Sequence, residues 1–118
     1  MNRRWLFATI VWTLVIWTVS SIPNLKTPDF GISFSDKIAH TAEYAVWGFL
    51  MTGLFQKGSI LHRLGWILAL GVLCGALDEL HQLFIPGRQA DWFDFLADSG
   101  GVLAAAGLDL IRGLFGKR

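Results

Sequence analysis

The sequence predicts an all-α protein, a four-transmembrane-helix antiparallel bundle with both termini on the inner side of a membrane (N-in, C-in). Three observations predict this class. Apolar residues form 53% of the 118-residue chain and charged residues only 16%, whereas soluble domains carry about 25% charged residues. Four apolar segments follow one another within residues 1–118, a length that fits a single domain. Basic residues concentrate in the connections that helix alternation would place on one side.

Residues 5–22 are the first predicted span. These 18 residues carry no charge, and a helix of about this length crosses a bilayer. Arg3 and Arg4 precede the stretch, so a cleaved signal peptide is an alternative interpretation. The apolar part is longer than that of an ordinary signal peptide, and no Ala-x-Ala-like site follows it. We therefore expect a retained membrane span.

The other predicted spans are residues 38–55, 64–84 and 92–112. Each includes ionisable residues, and their charge-free parts are 12, 14 and 10 residues long. Runs of that length also occur as buried helices of soluble proteins, so hydropathy alone leaves both interpretations open.

The distribution of charge favours the membrane interpretation. If the four segments alternate, the inner side collects seven of the ten basic residues, which agrees with the positive-inside rule. The outer side then holds every acidic residue except Asp109. The seven inner basic residues are Arg3, Arg4, Lys57, Arg63, Arg112, Lys117 and Arg118.

The connections predict a compact arrangement. The loop 23–35 contains Pro23 and Pro28, which stop a helix, and Pro86-Gly87 is typical of a type II turn. Short connections make sequential helices antiparallel neighbours. Small residues four apart allow helices to approach closely in lipid, and here we expect them to pack within the chain. These pairs are Gly48 and Thr52, Gly71 and Gly75, Gly100 and Ala104, and Gly101 and Ala105.

Ionisable residues gather at one end of three predicted helices, and alternation brings these ends to the outer face. A charge near the middle of a span costs about 2.5–3.5 kcal/mol, so partners, protons or water must compensate for these groups. We expect a pocket or, alternatively, a buried ion-pair network. The predicted pocket residues are Asp36, Lys37, His40, Glu43, Asp78, Glu79, Gln82, Arg88, Asp91, Asp94 and Asp98.

Carboxylates outnumber cations in this predicted pocket. Lys37 and Arg88 are the nearby cations, and Arg88 is expected to pair with Asp78, Glu79 or Asp91 through its planar guanidinium. Shared protons, a cationic ligand or a divalent metal ion would balance the remaining negative charge. The candidate metal ligands are His40, Glu43, Asp78, Glu79 and Asp94.

Three motifs in this order resemble the VanZ-like family of small membrane proteins. They are Asp36-Lys37-x-x-His40, Asp78-Glu79-x-x-Gln82 and Arg88-x-x-Asp91-x-x-Asp94, and the resemblance covers about residues 36–107. Family members commonly have Asn at the position of Asp98, so an acid replaces an amide here. The resemblance implies a multi-pass protein of the bacterial cytoplasmic membrane and a link to low-level resistance to the glycopeptide teicoplanin. It implies no particular reaction.

These observations favour an outward-facing acidic pocket that binds a lipid-linked or cationic envelope component. One alternative is a membrane-embedded, metal-dependent hydrolase or transferase that acts on a lipid headgroup. The chain has no nucleophile motif, His-Glu-x-x-His sequence or phosphate-binding glycine loop, so binding is favoured over catalysis. A proton- or ion-coupled transport component and a structural subunit of a larger membrane complex are further alternatives. Membrane lipids are the expected partners, and no basic stripe indicates nucleic acid.

Overall fold

The structure, a computed structural model, describes residues 2–26, 31 and 35–116. This part of the chain forms four helices and no strand: α1 (Arg3–Ser20), α2 (Ser35–Leu54), α3 (Ile60–Gln82) and α4 (Trp92–Phe115). The all-α prediction is confirmed for these residues, and each predicted span overlaps one helix, with ends that differ by up to four residues. Pro28 in the predicted loop, and Lys117 and Arg118 in the predicted inner charge, lie outside the described residues.

Polar side chains define where three helices begin. Asn2 accepts a hydrogen bond from the amide of Arg4 at the start of α1, and Ser59 accepts one from His62 at the start of α3. Asp91 does the same for Phe93 at the start of α4. Each cap satisfies an amide that has no partner inside its helix.

The connection between α3 and α4 has the features of the predicted type II turn. Gly87 has a φ of 74°, which suits the third residue of such a turn. The amide of Arg88 donates to the carbonyl oxygen of Ile85 at 3.1 Å. The turn therefore reverses the chain within a few residues and brings the end of α3 beside the start of α4.

The helices alternate in direction, but chain order does not give their closest neighbours. The most extensive contact joins α2 to α4, two helices that run in the same direction. The α2/α3 contact is small, although a short turn connects these helices. All three sequential pairs are therefore in contact, as expected, but the α2/α3 contact is the smallest of the three and α2 packs mainly against α4.

Small residues explain the close approach of α2 and α4. Gly101 lies against the backbone of Thr41 and Ala45, and Gly48 lies against Val102 and Ala105. A side chain at either glycine would collide with the opposite helix, so these positions permit backbone-to-backbone packing. The predicted role of the small-residue pairs is confirmed for this helix pair.

The apolar side chains are distributed unusually for a water-soluble protein. A small core contains Tyr44, Trp47, Met51, Ile67 and Val102. Many other large apolar side chains are exposed on all four helices. A helix bundle that buries so few of its apolar residues presents an apolar surface to its surroundings.

One of the described helices, α3, is long and apolar enough to cross a membrane by itself. Its most apolar 18-residue window has a mean hydropathy of 1.8, and only 17% of that window is buried inside the protein. Arg3 and Arg4 lower the mean hydropathy of α1, and several ionisable residues lower that of α2 and α4. Length and hydropathy thus support one of the four predicted spans.

Candidate functional site

Three helix ends form the candidate site, as the sequence predicts. The first turns of α2 and α4 and the last turns of α3 meet at one end of the bundle, so their polar side chains contact one another. We call this group the polar cluster. Its members are Asp36, Lys37, His40, Glu43, Asp78, Glu79, Gln82, Asp91, Asp94 and Asp98.

Lys37 binds three carboxylates. Its Nζ lies 2.6 Å from Asp36, 2.8 Å from Asp91 and 2.5 Å from Asp94. The hydrogen bond from Lys37 lowers the pKa of Asp36 and also that of Asp91, where the Phe93 amide adds to the effect. Partial burial opposes charge on Lys37, but its three hydrogen bonds outweigh burial and raise its pKa. Lys37 therefore joins the start of α2 to the start of α4.

His40 lies between two acids of α4. Its Nδ1 is 2.8 Å from Asp98 Oδ1, and its Nε2 is 3.6 Å from Asp94 Oδ2. Asp98 is completely buried and packs beside Gly75 of α3, where a Cβ atom would already be tight against it. The absence of a side chain at Gly75 thus leaves room for an acid between the helices.

Three buried carboxylates keep one oxygen without a hydrogen-bond partner among the described residues. These oxygens are Asp78 Oδ1, Glu79 Oε1 and Asp98 Oδ2. The other oxygen of Glu79 accepts a hydrogen bond from the amide of Asp91 at 2.9 Å. Buried polar atoms normally have a partner, so these three oxygens require a proton, water or a cation.

Arg88 does not make the pairing that the sequence predicts. Its Nη2 donates to the carbonyl oxygen of Val19 at 2.6 Å, and its Nε donates to that of Ile22 at 3.1 Å. The last carbonyls of a helix lack partners inside the helix, and a guanidinium satisfies them well. Pairing with Asp78, Glu79 or Asp91 was the wrong expectation because the end of α1 lies within reach of Arg88.

A small cavity and an open groove adjoin the polar cluster. The cavity has a volume of about 40 Å³ and is lined by His40, Glu43, Asp78, Gln82 and Arg88 together with residues of α1, including Ser20. Its size suits about two or three water molecules. None of the predicted site residues belongs to α1. Ser20, a polar residue at the end of this apolar helix, is the feature of the sequence that could have indicated a contribution from α1.

The groove lies on the side of the bundle, between α3 and the start of α4. Its volume is about 260 Å³, and its lining comprises Glu79, Asp91, Trp92 and Phe95 with two small residues, Ala76 and Ala90. Trp92 is 68% exposed. The groove thus combines two carboxylates with aromatic side chains at the surface.

The structure brings together two of the predicted metal ligands, His40 and Glu79, with Asp98, which was not predicted as a ligand. One ligand atom each from His40, Glu79 and Asp98 lies within 4.8 Å of the others. Asp94, a predicted ligand, is paired with Lys37, and Glu43 and Asp78 line the small cavity. Sequence reasoning included Asp98 in the pocket but omitted it from the metal ligands.

The fold and the site define a class of protein, an all-helical bundle in which polar residues from three helix ends are buried together. The model of the VanZ/LLP1 family matches residues 4–112, nearly the whole chain. The chain belongs to this family, and the resemblance in its three motifs is confirmed. No curated protein and no solved structure shows significant similarity to the chain.

Proposed function

We propose that this protein is a multi-pass protein of the bacterial cytoplasmic membrane whose polar cluster lies near the outer surface. The contrast in burial supports this assignment. Asp78 and Asp98 are at most 1% exposed, while Phe7, Leu61 and Phe84 are at least 70% exposed. In water this distribution would expose large apolar areas, whereas in lipid the apolar residues face the hydrocarbon and the charged groups face each other.

The charges at the other end of the bundle support the orientation. Arg63 pairs with Asp109 where α3 begins and α4 ends, and Lys57 lies in the adjoining turn. Arg3 and Arg4 belong to the same end, since Asn2 lines a pocket together with Lys57. Basic residues concentrate on the cytoplasmic side of membrane proteins, so the polar cluster is assigned to the opposite side.

The proposed ligand is a membrane amphiphile whose headgroup carries an amine. The observation that carries this proposal is the lateral groove, which has the carboxylate of Glu79 in its lining and Trp92 and Phe95 beside it. Carboxylates attract cationic donors, and aromatic residues are frequent at headgroup depth. A groove of about 260 Å³ is smaller than the roughly 300–1,000 Å³ of pockets that enclose a whole ligand. It would therefore hold a headgroup while the acyl or prenyl chains remain in the bilayer.

A lipid-binding assay tests this proposal. Native mass spectrometry of the detergent-solubilised full chain would compare retention of phosphatidylethanolamine, which has a primary amine, with that of phosphatidylglycerol, which has none. We expect preferential retention of the amine lipid and a loss of about tenfold in Glu79→Gln, because a hydrogen bond to a charged group contributes about 1.5–3 kcal/mol. Glu43→Gln makes the same change outside the groove and should keep the preference. Equal retention of both lipids by the unaltered protein would refute the proposal.

The family resemblance extends the proposal to glycopeptides. Binding of a lipid-linked envelope component at the groove would alter how teicoplanin reaches its target. Expression in a teicoplanin-susceptible bacterium should raise the inhibitory concentration of teicoplanin, and Glu79→Gln should remove this increase at equal protein level. An increase that persists in Glu79→Gln would separate resistance from the groove.

A second candidate function is a hydrolase or transferase that acts on a lipid headgroup. The convergence of His40, Glu79 and Asp98 favours it, because a bound divalent ion can activate water and polarise a phosphoryl oxygen. This candidate requires that a metal ion binds. Incubation of the metal-loaded protein with lipids that carry a radiolabelled headgroup would test for release of the labelled product.

A further inference from the structure

His40, Glu79 and Asp98 come from three different helices and converge at one point. Their nearest ligand atoms lie within 4.8 Å of one another. Ligands of a tetrahedral Zn²⁺ lie about 3.3–3.6 Å apart, because each is about 2.0–2.2 Å from the ion. Shifts of up to about 1 Å in these three side chains would therefore bring them within ligating distance of one ion.

Two of these side chains are buried and incompletely bonded. Glu79 is 7% exposed and Asp98 is fully buried, and each has an oxygen without a partner among the described residues. Each carboxylate has a partner at its other oxygen, but a buried oxygen that lacks one is unfavourable. Lys37 cannot be this partner, because its ammonium group already binds Asp36, Asp91 and Asp94.

We propose that His40, Glu79 and Asp98 form a binding site for one divalent first-row metal ion, Zn²⁺ or Mn²⁺. One imidazole and two carboxylates are ligands that these ions accept, whereas Mg²⁺ and Ca²⁺ prefer oxygen ligands alone. Two carboxylates and a neutral imidazole balance the charge of one divalent ion. The site shares Glu79 with the groove proposed above, but metal binding requires no lipid and can be measured without one.

Neighbouring groups hold the ligands in place. The Asp91 amide fixes one oxygen of Glu79 at 2.9 Å, and Asp94 lies 3.6 Å from Nε2 of His40. Such outer contacts orient ligands in metal sites. Glu79 also lines the lateral groove, so the site adjoins the protein surface at this residue.

The test uses the full chain in detergent after removal of bound metal with a chelator. Zn²⁺, Mn²⁺, Mg²⁺ and Ca²⁺ are added separately, and binding is measured by isothermal titration calorimetry and by elemental analysis after gel filtration. We expect one Zn²⁺ or Mn²⁺ ion per chain with weaker binding of Mg²⁺ and Ca²⁺. Glu79→Gln and Asp98→Asn should each weaken binding by at least about tenfold.

Asp109→Asn is the matched control, because it removes a carboxylate from the same helix eleven residues beyond Asp98, or about 16 Å along the axis. It should bind metal like the unaltered protein. Circular dichroism confirms that each variant is folded, and His40→Gln replaces any variant that is not.

Absence of binding of all four ions would overturn the proposal and indicate that protons neutralise the buried oxygens. Unchanged affinity in Asp98→Asn, or a preference for Mg²⁺ or Ca²⁺, would also overturn it. The lipid-retention assay on the same metal-free protein separates the two proposals, since a preference for the amine lipid without metal binding refutes only the metal site.

Discussion

Substitution of Lys37 by methionine should destabilise the bundle by about 2–4 kcal/mol. The variant keeps a side chain of similar length but leaves three carboxylates without their shared cation. Asp94 dominates the effect because its side chain is only 12% exposed, and Lys37 lies 2.5 Å from it. At that distance the Coulomb attraction is about 7 kcal/mol with an effective dielectric constant of about 20.

Most of this attraction offsets the cost of removing the two charges from water, and loss of one partner of a well-buried pair typically costs about 3–5 kcal/mol. The pair is not fully buried, since Lys37 is 23% exposed, so we expect a somewhat smaller value. Asp36 and Asp91 are each more than 40% exposed, and solvent screening leaves them a minor contribution.

The free energy of unfolding of Lys37→Met can be measured by titration with a denaturing detergent, with helix content as the signal. The double variant Lys37→Met/Asp94→Asn provides the control, because it removes the uncompensated charge together with the cation. We expect it to recover a large part of the lost stability. A single variant as stable as the unaltered protein, or a double variant less stable than the single one, would refute the reasoning.

Two further predictions concern acid stability and helix packing. The lowered pKa values of Asp36 and Asp91 stabilise the folded protein above the ordinary Asp value of about 3.8, and this contribution disappears as pH falls through the folded values. The raised pKa of Lys37 keeps its own contribution complete below about pH 10.5, so only the carboxylates lose their contribution in acid. The melting temperature should therefore fall on acidification below about pH 4, and it should fall less in Lys37→Met. Gly101→Ala should destabilise the protein by about 1–3 kcal/mol because its Cβ would meet the α2 backbone. Gly100→Ala, with nothing near the new Cβ, should be neutral or slightly stabilising, and equal melting temperatures for the two variants would contradict the packing argument.

The sequence was sufficient to predict the four helices and the end of the bundle where the polar residues meet. Apolar segments of adequate length and turn-forming residues between them determine helices locally. Alternation of direction then places Asp36, Asp78 and Asp91 at the same end, whatever the order of the helices around the bundle. The prediction that these residues meet at one end of the bundle depends on helix direction alone, and the structure agrees with it.

Predictions of individual partners were less successful because they depend on distances between helices. Arg88 had several acids as candidate partners, but the carbonyls of Val19 and Ile22 lie within its reach. Every residue has a backbone carbonyl oxygen, so residue types do not indicate which carbonyl accepts a hydrogen bond, and this contact could not be predicted from them. The metal-ligand set included Asp94 and omitted Asp98, because only the packing of α2 against α4 decides which acid faces Lys37 and which faces His40.

The close contact of α2 with α4 did have a signal in the sequence. Gly48 and Gly101 belong to the small-residue pairs that predicted close packing, but the pattern does not say which helices meet. Connection length suggested sequential neighbours, whereas the close approach that Gly48 and Gly101 permit makes α2/α4 the most extensive contact. Packing shape thus outweighed connection length in ordering the helices.

Gly101 affects the alignment of the polar cluster, which lies about one helical turn away. Thr41 and Ala45 rest against this bare stretch of α4, one turn from the place where His40 meets Asp98. A slide of α4 by one helical turn, about 5.4 Å, would bring an alanine such as Ala97 or Ala105 to this crossing and is disfavoured by the same clash as Gly101→Ala. The absence of a side chain at Gly101 therefore favours one axial offset of the two helices. This offset determines which acid pairs with each basic residue, so the charged residues do not have to align the helices themselves.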